Sequence, residues 1–84
     1  MSFAKILLQG FVPKDPEIKD ISGTPLSVFT LGVERERANE DGSRDVDWYN
    51  VEAWGKNAER VSKGLKKGSS IVLTGRPTTD NWTD

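Results

Sequence analysis

The chain has no cysteine and no histidine among its 84 residues. Without cysteine there is no disulfide and no thiolate metal site. Without histidine the commonest general base and the commonest metal ligand are both missing. Carboxylates alone remain for catalysis, and no pair of acids stands apart from an ordinary solvated surface. The apolar stretch "AKILLQGFV" near the start falls well short of the about 20 residues that cross a membrane. No small-residue cleavage site follows it, so neither a membrane span nor a signal peptide is expected. These absences make an enzyme the weaker reading, and no catalytic residue, metal ligand or cofactor is assigned. They point to a small domain that works by binding.

What is present suits one folded unit. Hydrophobic residues make up 35% and charged residues 30%, a globular rather than a disordered balance, and the length supports a single small domain. The net charge of −1 argues, taken alone, against a polyanionic partner. Its distribution is uneven. Between Lys56 and Arg76 six basic residues (Lys56, Arg60, Lys63, Lys66, Lys67, Arg76) face one acid, Glu59, whereas Glu34 to Asp47 holds six acids and three arginines. Both runs also fit a solvated surface.

Hydrophobic periodicity gives the elements. Phe3 to Val12 reads as a first strand, with Ile6 and Leu8 on one parity and Lys5 and Gln9 on the other. "PKDPEIKDISGTP" carries three of the four prolines and reads as a long connection. "LSVFTLGVERER" (26–37) alternates Phe29, Leu31 and Val33 against Val28, Thr30 and Gly32, as a second strand. The Asp41-Gly42 turn joins it to a third strand, Val46 to Trp54. The period then changes: "KNAERVSKGLKK" spaces Ala58, Val61 and Leu65 as a helix does, with Gly68 as its stop. "SSIVLTGR" (69–76) reads as a fourth strand. This order, β-β-β-α-β, predicts a mainly β fold of the oligonucleotide/oligosaccharide-binding (OB) type, a five-stranded Greek-key barrel. The fifth strand that closes such a barrel does not appear before Asp84.

The third strand poses a puzzle. Trp48 and Trp54 are six residues apart and share a face with Asn50 and Glu52, while Tyr49, Val51 and Ala53 share the other. Burying the tryptophans would bury Glu52 with them, and an unpaired buried carboxylate costs far more than an exposed indole. The tryptophans are therefore expected to face outward, provided no bulge shifts the parity. Outward aromatics beside basic residues suit unpaired bases, which stack on any π-face while cations follow the phosphates. A protein interface is the alternative use of such a patch. Phe29 and Tyr49 belong in the core. Phe11 shares the parity of Lys5 and Gln9, which would turn it outward, but it and Phe3 are assigned to a subunit contact or to packing over the barrel end.

"DWYNVEAWGKNAERV" resembles the strand-to-helix segment of bacterial-type single-stranded DNA-binding proteins. "AKILLQGFV", "KDPEIKDISGTPLSVFTLGV", "LKKGSSIVLTGR" and "NWTD" resemble further segments of that family in the same order, so the likeness covers nearly the whole chain. The resemblance implies a non-enzymatic, cytoplasmic and nucleoid-associated protein that coats single-stranded DNA in replication, recombination and repair. It implies an oligomer of OB barrels, usually a homotetramer. Trp48, Trp54 and Trp82 then fall on positions where the family stacks bases. Lys56 falls on the family's Gly-Lys site, and Arg37, Arg35 and Arg76 are candidate phosphate contacts.

Some features depart from the family. Arg37 stands where some members carry an aromatic, and either contacts DNA or forms a cross-strand ion pair in its hairpin. "RPTTDNW" places Asp80 and Asn81 where positive charge is the family habit. The closing strand and the family's acidic tail, which recruits replication and repair proteins, are not in the sequence. Residues 1–84 thus read as one OB domain ending before its last strand. A second reading is an OB relative that holds replication or primosome proteins together and binds DNA weakly.

Overall fold

The computed structural model describes residues 3–78. Five strands form one antiparallel sheet: β1 (Ile6–Phe11), β2 (Glu17–Ile21), β3 (Thr24–Glu34), β4 (Val46–Trp54) and β5 (Ser70–Gly75). One helix, α1 (Lys56–Gly64), stands between β4 and β5 in sequence. The longest strand, β3, organises the sheet. One of its edges pairs with β4 without interruption, from Leu26 opposite Trp54 to Glu34 opposite Val46. Its other edge is shared, with β2 along the first half and with β1 where Gly32 meets Phe11. The outer edge of β1 pairs with β5, from Ile6 opposite Gly75 to Phe11 opposite Ser70.

Alternation along these strands makes one face apolar, and the core forms there. Val12, Phe29 and Leu31 are its buried centre, with Tyr49, Val51 and Leu73 packed around them. The helix closes over this face because Ala58, Val61 and Leu65 recur at its period. Ala58 is buried, and Val61 and Leu65 pack against the same cluster. Full burial of a side chain such as Leu31 is worth about 1.5–3 kcal/mol. The close crossing of β1 on β3 depends on Gly10, where a Cβ would land on the Gly32 carbonyl oxygen.

Three expectations need correction. The 13–25 connection contains a strand, β2, which forms a hairpin with β3 around Ser22 and Gly23, both at positive φ. Asp20 fastens the turn by accepting the Gly23 N–H at 2.7 Å. The helix ends at Gly64 rather than near Gly68: Leu65 turns to extended backbone (φ −95°) while its N–H still bonds the Val61 carbonyl. Gly68 instead makes the following turn, its N–H reaching the Val12 carbonyl at 2.7 Å, and the Lys67 N–H bonds Asp15 at 2.7 Å. The second strand stops at Glu34 rather than at residue 37, because the Arg44 side chain takes the carbonyls of Arg35 and Glu36 out of the ladder.

With β2 set aside as an extra short strand, the β-β-β-α-β order stands, and the architecture is a mainly β OB fold. Among the described residues the sheet is open, since β4 pairs only with β3 and β5 only with β1. No helix among them is long and apolar enough to cross a membrane.

Candidate nucleic-acid interface

The parity of β4 holds along its whole length. Trp48, Asn50, Glu52 and Trp54 are exposed, while Tyr49, Val51 and Ala53 are partly buried on the core side. Trp48 is 56% and Trp54 47% exposed. Nine consecutive pairs with β3 leave no room for a bulge, so both indoles stand on one face.

Residues directly opposite each other in an antiparallel pair share a face, and this extends the tryptophans into rows. The Trp48 row runs through Gly32 of β3 to Phe11 of β1 and Ser70 of β5. The Phe11 and Trp48 rings meet edge to face, centroids 5.6 Å apart and planes at 78°. The Trp54 row runs through Leu26 to Lys19 of β2. Leu26 is only 7% exposed despite lying on the outward parity. Between the two rows, Glu52 and Glu17 flank Val28, so carboxylates separate two aromatic centres. The face is consequently not a uniform basic groove.

Lys56 opens α1 one residue beyond Trp54, after Gly55, and is exposed. The helix starts at Gly55 (φ 62°) with no capping side chain, and the Gly55 N–H bonds the Pro25 carbonyl at 2.9 Å, which ties the Trp54 end of β4 to the start of β3.

The arginines separate. Arg35 donates to Asp47, with Nη2 to Oδ1 at 2.9 Å, the one salt bridge among the described residues. Asp47 alternates with Trp48, so this pair lies on the opposite side of β4 from the indoles. The hydrogen bond to Asp47 raises the Arg35 pKa, and the bond from Arg35 holds the Asp47 carboxyl below its ordinary value. The hairpin ion pair envisaged for Arg37 thus belongs to Arg35. Arg37 is exposed in the loop after β3, beside a shallow hollow also lined by Asn39, Glu40 and Asp45. Arg76 is exposed just past Gly75, at the end of β5 away from the Trp48 row. Trp82, Asp80 and Asn81 lie outside the described residues.

The outward parity expected of Trp48 and Trp54 is the one observed, whereas Gly32 and Lys19 of the same face were not singled out from the sequence. Phe11 was assigned to a subunit contact or the barrel end, yet it packs on Trp48. Its shared parity with Lys5 and Gln9 had pointed outward, and the structure follows that parity. Gly32 gave no signal of its own, and Lys19 was hidden in the segment read as a connection. Phe3 is 83% exposed and covers no barrel end. No cluster of acidic residues able to hold a metal ion occurs among the described residues.

Comparison with known proteins places the chain in a family. Residues 3–84 match the family model of the single-strand binding protein family. The chain is 38% identical to single-stranded DNA-binding protein 2 of Listeria monocytogenes over 95% of this chain and 51% of that one. It is 40% identical to single-stranded DNA-binding protein 1 of Synechocystis sp. over its full length and 69% of the relative's. The chain spans about half the length of the first curated relatives it matches. Among solved structures, the second single-stranded DNA-binding protein of Mycobacterium smegmatis superposes with a TM-score of 0.76 at 25% identity, covering 92% of this chain and 72% of that one.

Proposed function

The chain belongs to the single-strand binding protein family, and we propose that it binds single-stranded DNA without sequence preference by stacking bases on Trp48 and Trp54. The observation that carries this is the pair of half-exposed indoles on one face of an unbroken strand. Every base offers a π-face, so such a surface tolerates sequence. Trp82 is a third stacking position on this reading. Lys56, Lys19 and Arg37 supply phosphate contacts. Arg35, engaged by Asp47, and Arg76, at the far end of β5, contribute less.

On the same reading residues 1–84 act as one OB unit, a binding protein rather than an enzyme, in the cytoplasm on nucleoid DNA. It protects single strands in replication, recombination and repair, where replication and repair proteins are its further partners. Self-association, to a tetramer on the family's pattern, is supported by exposed Leu7 and Val72 on neighbouring strands of the β1–β5 outer face.

The test is intrinsic tryptophan fluorescence titrated with a long oligo-dT strand at low and high salt. Saturable quenching is expected, weakening with salt by a log–log slope of about −0.7 per phosphate contact. Trp48→Ala and Trp54→Ala each lose about 1–3 kcal/mol of binding. Absence of quenching at low salt, with tight binding of a replication protein instead, would transfer the aromatic face to the protein-interaction reading. The acidic pair Glu17 and Glu52 between the two rows is the feature that favours that second reading.

A further inference from the structure

Among the described residues Trp48 has an aromatic neighbour and Trp54 has none. Among the described residues the Phe11–Trp48 contact is the one aromatic pair, and it crosses a whole strand to form. The register places Gly32 between the two rings. A Cβ there would lie 2.7 Å from Phe11 Cζ and 2.8 Å from Trp48 Cζ3. Any side chain at position 32 would wedge the rings apart. The glycine therefore lets the two rings close over the middle strand.

An indole exposed by half has rotamer freedom, and fixing it on a base costs entropy. Edge-to-face contact at this separation is an attractive arrangement of ring quadrupoles, and it restrains the indole before a ligand arrives. A T-shaped pair occupies at most one face of the indole, which leaves the other face for a base. We propose that Phe11 is a positioning residue: across Gly32 it holds the Trp48 ring ready for base stacking. The proposal rests on the reading of Trp48 as a stacking surface, and assigns to Phe11 the pre-organisation of that surface rather than a contact with DNA.

The experiment uses the 84-residue chain with Trp54→Phe and Trp82→Phe, so that Trp48 is the only fluorophore. Time-resolved anisotropy reports the local motion of Trp48, and oligo-dT titration reports affinity. Phe11→Ala is expected to enlarge the fast local depolarisation and to weaken oligo-dT binding about three- to tenfold. Phe11→Leu, which keeps apolar bulk without a ring, behaves the same way and guards against a folding defect. Phe11→Tyr restores both readouts. In the otherwise unsubstituted chain with Trp48→Ala, Phe11→Ala changes affinity less than about twofold, as expected when one residue acts through the other. Unchanged anisotropy in Phe11→Leu, or an equal loss of affinity with and without Trp48, overturns the proposal and leaves stacking intact. Trp48→Ala binding oligo-dT as tightly as the parent overturns the stacking reading, and the proposal with it.

Discussion

Arg35 is committed to Asp47 on the side of β4 away from the tryptophans, which makes it a hairpin fastener. The sign of its pH dependence follows from Asp47, whose carboxyl titrates below its ordinary value of 3.8 because the Arg35 guanidinium bonds its charged form. A lowered folded-state pKa adds stability that is complete above the unfolded value and disappears as pH falls through the folded one. In Arg35→Gln, carboxyl NMR titration should find Asp47 returned towards its ordinary value, and the acid limb of the stability profile below about pH 4 should flatten. An Asp47 midpoint indifferent to that substitution would remove the fastener role. Sequence could not choose between Arg35 and Arg37, because the choice depends on the cross-strand register and on where the ladder ends. Trp48 and Trp54, by contrast, were legible, since strict alternation with Tyr49, Val51 and Ala53 left a single consistent parity.

At the level of elements, legibility followed amphipathicity. β4 and the start of α1 emerged at their observed positions because each has an apolar face with a clear period. β2 did not, because all five of its residues are exposed and no apolar alternation marks it; it exists through its ladder with β3. The helix end was misplaced because Leu65 stays in the core after the helix stops, so the apolar spacing outlasts the helical backbone. Its beginning has a sharper requirement. Gly55 sits at φ 62° and ψ −127°, where a side chain is strained even though no atom lies within 4 Å of its would-be Cβ. Gly55→Ala should lower unfolding free energy by about 1–3 kcal/mol, read as a shift of the urea midpoint at constant slope. A midpoint equal to the parent's would show that the strand-to-helix turn relaxes to another conformation.

For the whole molecule, the sheet has two outward regions of different character. Trp48 and Trp54 mark one, with acids between them; Leu7 and Val72 mark the other, on the β1–β5 side. If the second region holds copies of the chain together, the double substitution Leu7→Glu and Val72→Glu should shift sedimentation towards the monomer while leaving the fold intact. An unaltered assembly would put the contact elsewhere. The unbroken β3–β4 ladder has a consequence for how a strand of DNA would be handled. Six residues of β4 hold the two indoles about 20 Å apart, a span of about six stacked bases at ~3.4 Å each. If both indoles stack bases as proposed, neighbouring bases would not share the pair, and a dinucleotide would occupy one ring at a time. A longer strand would bridge both as a two-point tether, in which either end lets go and rebinds while the other keeps it near. On the proposed stacking reading, such a surface would pass single strands along by halves and release them whole only when both ends let go together.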